Sequence, residues 1–134
     1  MILPVEYSTI LYPTSFIPLI SSVYAITNGM WVYSLIPTCV SGSSILYWYN
    51  PDYSWRRYLD MAVVQVGFIC ITWLSFYSAT QAYFIITEII AICMFYLGVY
   101  FYKHKHHYYS ALAHSGLHIL ATLANIIVFM GISY

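Results

Sequence analysis

Apolar runs of about 20 residues, separated by short polar segments, follow one another along most of the chain. A helix of that length is long enough to cross the hydrocarbon core of a bilayer. The pattern predicts five helices, over residues approximately 9–27, 30–49, 58–76, 82–102 and 108–132. Pro18 interrupts the short first run, which therefore either spans from near Thr9 or lies at the interface, leaving four spanning helices.

Turn signals and polar loops separate the runs. Asn28-Gly29 follows the first run, a loop opening with Asn50-Pro51 precedes the third, and a basic loop from Lys103 to His107 precedes the fifth. No internal repeat interrupts this order. The sequence therefore predicts an all-α, polytopic transmembrane bundle of about five helices, forming a single integral membrane domain over residues 1–134.

Composition strengthens this prediction, because the chain is 62% hydrophobic and only 6% charged. Soluble domains carry about 25% charged residues, so this chain has too little polar surface to cover a globule in water. The formal net charge is zero, which provides no electrostatic basis for binding nucleic acid. The expected partners are the lipid bilayer and other membrane or capsid subunits.

The cationic residues predict an orientation. All four lie in two loops, as Arg56, Arg57, Lys103 and Lys105. Two predicted spans separate the loops, so both loops lie on the same side of the membrane. The positive-inside rule makes that side cytoplasmic, and we expect the four cations to contact anionic lipid headgroups there.

Polar residues inside the runs are the candidate functional residues. Counted from the cationic side at about 1.5 Å per residue, Ser44, Asp60, His114 and His118 fall in one layer. Glu88 and Asn125 lie deeper, where they are candidates for a structural polar pair. Polar side chains at such depths normally face the protein interior, because exposing them to lipid is costly.

His114 and His118 are four residues apart, which places both imidazoles on one face of a helix. Two imidazoles with one oxygen ligand would suit a zinc ion that activates water. A hydrogen-bonded stripe that aligns the helices explains the same pattern without any cofactor, and it is the interpretation we favour. A third interpretation is a proton path through His118, Asp60 and Glu88.

Three short segments carry a resemblance to a known superfamily. They are Ser44-Ile-Leu-Tyr-Trp48, Arg57-Tyr-Leu-Asp60 and His114-Ser-Gly-Leu-His118. Together they resemble the alkaline ceramidase and adiponectin-receptor membrane hydrolases, in which a Ser-x-x-x-His segment, an Asp and a late His-x-x-x-His surround zinc. The resemblance implies His114 and His118 as metal ligands and Ser44 and Asp60 as catalytic residues. Trp48 replaces the first zinc histidine, and an indole nitrogen cannot bind a metal.

The run from Tyr47 to Asp60 is also similar to small uncharacterised membrane proteins of protists and large DNA viruses. Three functional hypotheses follow. The first is a non-enzymatic structural or accessory subunit of a larger membrane assembly, with a viral internal membrane as one setting. The second is a reduced zinc-dependent hydrolase of lipid amides or esters. The third is a pathway for protons or small solutes, in which Glu88 is essential.

Overall fold

The computed structural model describes residues 3–132, and within that range the chain is helical with no strand. Its helices are α1 (Val5–Thr14), α2 (Pro18–Thr27), α3 (Trp31–Trp48), α4 (Trp55–Ser75), α5 (Gln81–Lys103) and α6 (His107–Met130). The predicted all-α bundle is confirmed. The third predicted run starts earlier than expected, because the Ser54 hydroxyl caps α4 by accepting a hydrogen bond from the Arg56 amide at 3.3 Å.

Four stretches are long and apolar enough to cross a membrane, as expected for an integral multi-pass membrane protein. They are Val5–Thr27, Trp55–Ser75, Gln81–Lys103 and His107–Met130. The first comprises α1 and α2 together, so the segment interrupted by Pro18 has sufficient length and apolar content to span. The 18-residue α3 lies outside this set because it contains four serines, a threonine and a proline.

A neighbouring helix compensates for the break between α1 and α2. Pro18 has no amide hydrogen, and the chain tightens here into hydrogen bonds between residues three apart, such as Leu19 N to Phe16 O at 3.1 Å. This turn leaves the Ser15 carbonyl without its usual helical donor. The Ser41 hydroxyl of α3 donates to that carbonyl at 2.6 Å. The freed backbone group is therefore satisfied inside the bundle, as lipid requires.

Small residues bring α5 and α6 close together. The Ser110 hydroxyl donates to the Gly98 carbonyl at 2.8 Å, and a Cβ added to Gly98 would lie 3.5 Å from that of Ala113. Close backbone approach of this kind is typical of helices packed in lipid, where no hydrophobic force drives helices together. On α5 the buried positions Phe84, Thr87, Ala91 and Gly98 form one stripe.

Packing at the two ends of the bundle defines its polarity. At one end, Leu3 and Leu11 pack with Tyr47 and Trp48 of α3 and Ala111 of α6. All four Lys and Arg residues lie at this same end, in the first turn of α4, at the end of α5 and in the loop before α6.

At the opposite end, the α4–α5 turn is tied to the end of α6. The Ala79 amide donates to the Gly131 carbonyl at 2.8 Å, and the Ser78 hydroxyl donates to the Val128 carbonyl at 2.9 Å. These bonds satisfy carbonyls that a helix C-terminus leaves without partners.

Candidate functional site

Ser44 and Asp60 of the predicted polar layer lie in direct contact. The Ser44 hydroxyl donates to Asp60 Oδ1 at 2.7 Å, and the Ser43 hydroxyl donates to the same oxygen at 2.9 Å. Both serines are buried on α3, whereas Asp60 is partly buried near the start of α4. Two hydroxyl donors on one carboxylate oxygen stabilise the charge and join the two helices.

His114 and His118 lie in a second group, which joins α6 to α3 and α1. The two imidazole centroids are 5.1 Å apart, and the Trp48 ring packs edge to face against His114 with a centroid distance of 5.3 Å. His118 Nδ1 shares a hydrogen bond with the Thr14 hydroxyl at 3.1 Å. The histidine pair therefore faces the bundle interior, with Trp48 on one side and the end of α1 on the other.

Several polar atoms of this second group are shielded from solvent but have no hydrogen-bond partner within residues 3–132. They are Tyr47 Oη, Trp48 Nε1 and His114 Nδ1. Buried groups of this type are commonly satisfied by ordered water. Trp48 Nε1 can only donate a hydrogen bond, so it would require an acceptor such as a water oxygen.

The residues of the described part do not assemble into a metal centre of three protein ligands. No group of three or more His, Cys, Asp or Glu side chains there is placed to hold one ion. Asp60 uses Oδ1 to accept from the α3 serines, and the indole of Trp48 packs against His114. A catalytic zinc has three protein ligands and an open fourth position, and the described residues form no such three-ligand set.

The predicted pair of Glu88 and Asn125 does not form a hydrogen bond in the described part of the chain. Asn125 is buried on α6, and its Nδ2 lies 3.5 Å from the Ser21 hydroxyl of α2. On α5, Thr87 occupies the buried stripe and Glu88 lies beside it, half-buried. The sequence predicted both residues at a similar depth, but Asn125 lies on the packed side of α6 whereas Glu88 lies beside the packed side of α5.

Hydroxyl groups that were not predicted from the sequence link α2 to α3. The Thr38 hydroxyl donates to that of Ser22 at 2.9 Å, and the Ser22 hydroxyl donates to the Ser34 carbonyl at 3.3 Å. Ser34 and Ser41 are buried seven residues apart on α3. A repeat of small polar residues on one helical face was the available sequence signal.

A local ion pair joins the loop before α4 to the first turn of α4. Arg56 Nη2 donates to Asp52 Oδ2 at 2.7 Å and to the Asn50 carbonyl at 3.0 Å. The side-chain hydrogen bond from Ser54 is the main cause that lowers the pKa of the Asp52 carboxyl, with partial desolvation opposing it and Arg56 reinforcing it. Asp52 therefore stays charged and holds Arg56 at the membrane end of the loop.

Two open apolar grooves run along the α3–α4 seam, with volumes of 390 and 350 Å³. Cys39 and Cys70 lie in the first, among aliphatic side chains such as Val66. Neither groove includes Asp60 or the histidines, so these grooves are separate from both polar groups. Their lining is suited to hydrocarbon.

Comparisons with protein-family models, with curated proteins and with solved structures found no match to this chain.

Proposed function

We propose that the chain is a non-enzymatic subunit that packs against other proteins in a larger membrane assembly. The supporting observation is that two side chains able to form hydrogen bonds, Gln65 and Glu88, lie on the outer surface of two different candidate spans. Gln65 is exposed on α4 and Glu88 is half-buried on α5, and neither forms a hydrogen bond with another residue between 3 and 132.

Lipid is a poor environment for both side chains. Gln65 lies ten residues inside α4, or about 15 Å from its start, which is close to the middle of the hydrocarbon core. It points away from the side of α4 that contains the buried Gly67 and Ile71. An amide or carboxyl without a partner at such depth costs free energy. A neighbouring subunit that supplies hydrogen-bond partners removes this cost.

The rest of the outer surface is compatible with this role. Large apolar side chains such as Phe68 and Trp73 on α4 and Tyr96 on α5 are exposed. These helices have wide outer sides, because α4 packs mainly on α3, and α5 packs mainly on α6. Such apolar surfaces can contact either lipid or protein. Only the polar side chains of Gln65 and Glu88 favour a protein neighbour over lipid.

A photo-crosslinking amino acid tests the proposal in native membranes. At position 65 we expect discrete protein adducts of reproducible mass. At Val32, which is 73% exposed on α3 and has an apolar side chain, we expect lipid adducts. Lipid adducts alone at position 65, or metal-dependent hydrolysis of lipid amides by the purified protein, would contradict the proposal.

We also propose that the cationic end faces the cytoplasm and contacts anionic headgroups. Arg56 and Arg57 lie at the start of α4, and Lys103 and Lys105 lie around the end of α5. The Arg57 guanidinium lies 5.3 Å from the Tyr53 ring centroid and forms no ion pair with a carboxylate within residues 3–132. A cation over an aromatic ring at the interface is suited to a phosphate partner.

The hydrolase remains the alternative function, and the contact between Ser44 and Asp60 favours it. Both residues match the resembled superfamily by type and order, and the structure brings them within 2.7 Å. Residues 3–132 form no set of three or more His, Cys, Asp or Glu side chains placed to hold a metal ion, so no zinc-dependent step is assigned to them. Metal analysis of purified protein discriminates the two functions, because a subunit is expected to contain no stoichiometric zinc. Stoichiometric zinc that is lost in His114→Gln would favour the hydrolase.

A further inference from the structure

One flank of α5 carries a stripe of residues beside the buried positions that pack on α6. Its members recur at spacings of four and three, which is the seam of a helix that packs along another helix. They are Gln81, Ile85, Glu88, Ile92, Phe95 and Val99. Ile85, Ile92 and Phe95 are between 45% and 48% exposed, so this stripe forms a partly covered flank of the bundle.

Glu88 is the polar centre of this flank. It lies seven residues from the start of α5, or about 10 Å into the span from the end opposite the cationic loops. Its carboxyl makes no hydrogen bond or ion pair within residues 3–132. The residues one turn away on the stripe, Ile85 and Ile92, are aliphatic and offer no donor. A carboxyl in this setting needs a donor from outside the described fold.

A second copy of this chain does not supply a cation at that depth. Its Lys and Arg residues all lie in or beside two loops at the other end. His114 and His118 face the interior, against Trp48 and Thr14. Parallel copies would instead place one Glu88 near another, and two carboxylates repel each other.

We propose that the Glu88 flank is the docking seam for a transmembrane helix of a different protein that carries a lysine or arginine at the depth of Glu88. This inference rests on the proposed role as a subunit and names the chemistry of one partner. The aliphatic positions of the stripe supply packing, and the carboxylate–cation pair sets the depth and the specificity of the contact. Each charge removes the cost of exposing the other to lipid.

Two synthetic helices test the seam in phosphatidylcholine vesicles that contain the full chain. One is a polyleucine transmembrane peptide with a single lysine at the depth of Glu88, and the other has leucine at that position. Energy transfer between labelled protein and labelled peptide measures association. We expect the lysine peptide to bind at least about tenfold more tightly than the leucine peptide. Glu88→Gln is expected to abolish that difference while preserving side-chain size.

Glu6→Gln is the matched control, because Glu6 is exposed near the start of α1 and lies outside the seam. The control variant should retain the full preference for the lysine peptide. Equal binding of both peptides by the unaltered chain would overturn the inference, as would a preference that survives Glu88→Gln. Energy transfer between two copies of the chain that falls on Glu88→Gln would also overturn it, in favour of a homo-oligomer.

The two proposals fail separately. If the lysine preference is absent but protein adducts still form at position 65 in native membranes, the chain is a subunit whose Glu88 flank has another role. If the lysine peptide binds but no protein adducts form at position 65, the subunit proposal fails. The peptide result then shows only that Glu88 can pair with a lysine at its depth.

Discussion

The Ser44 hydroxyl on α3 donates a 2.7 Å hydrogen bond to the Asp60 carboxylate on α4. Ser43 donates to the same oxygen at 2.9 Å, so a single carboxylate oxygen holds two successive residues of α3. This arrangement fixes both the rotation and the relative height of the two helices near the cationic end. It also accounts for two serines within a helix that sits in a largely apolar chain.

Removing the Ser44 donor should destabilise the bundle. We expect Ser44→Ala to lower the free energy of unfolding by about 1–2 kcal/mol, because a hydrogen bond to a charged group contributes more than a neutral one. The double change of Ser43 and Ser44 to alanine should cost more than either single change. Thr9→Ala is the control, since the exposed Thr9 hydroxyl bonds only to the Glu6 carbonyl of its own helix. Equal effects of Thr9→Ala and Ser44→Ala in steric-trapping or denaturant measurements would contradict this prediction.

Gly131 should not tolerate alanine. A Cβ at this position would meet the Ser78 and Thr80 hydroxyls and lie 2.7 Å from the Thr80 amide nitrogen. We expect Gly131→Ala to destabilise the protein by about 1–3 kcal/mol, as overpacking typically does. Gly42→Ala is the matched control, because nothing lies within 4 Å of its added Cβ and alanine favours a helix over glycine. Thermal unfolding in detergent should rank Gly42→Ala at or above the unaltered chain and Gly131→Ala well below it.

The Asp52 carboxyl should titrate below its ordinary pKa of 3.8 in the folded protein. A lowered pKa stabilises the folded loop at pH values above 3.8, and that contribution is lost as the pH falls through the folded-state pKa. Carboxyl carbon shifts measured by NMR report the titration directly. Ser54→Ala should raise the pKa of Asp52, because the side-chain hydrogen bond from Ser54 is the main cause of the lowered value, and Arg56→Gln should raise it less. An unchanged titration in Ser54→Ala would contradict this assignment.

The two cationic loops should be accessible from the same side of the membrane. A single cysteine introduced at Asn50 or at Lys105, in a chain whose native cysteines are replaced, should react with an impermeant maleimide only from the cytoplasmic side. A cysteine at Asn28 should react only from the other side, since the α2–α3 turn lies at the opposite end of the bundle. Labelling of Asn50 and Lys105 from different sides would contradict both the orientation and the pairing of the helices.

The positions of the helices were largely predictable, because the length of each apolar run can be counted directly along the sequence. The runs around α4, α5 and α6 were placed within a few residues, and Pro18 marked the break in the first segment. The same signal predicted α3 as a membrane span. This segment is helical as expected, but it is too polar to be one of the four candidate spans. Its serines are better understood as contacts for α2 and α4 than as a weakness of the helix.

The candidate site was only partly predictable, because sequence gives depth along a helix more readily than rotation about it. Ser44 and Asp60 were predicted in one layer, and the structure brings them into contact. Glu88 and Asn125 were placed together by the same reasoning, but Thr87 occupies the packed side of α5 and Asn125 approaches Ser21. In helices that are apolar on every side, hydrophobicity does not identify the packed face. Small residues such as Gly98 and Ala113 identify it better.

The bond from Ser41 to the Ser15 carbonyl also bears on how the protein is made. The donor lies 26 residues after the acceptor, so a growing chain presents the broken first span to the translocon before its missing hydrogen bond exists. That span reaches its native hydrogen bonding only once α3 has been synthesised and has come alongside. We therefore expect the first segment and α3 to complete their hydrogen bonding together, as a hairpin of neighbouring helices.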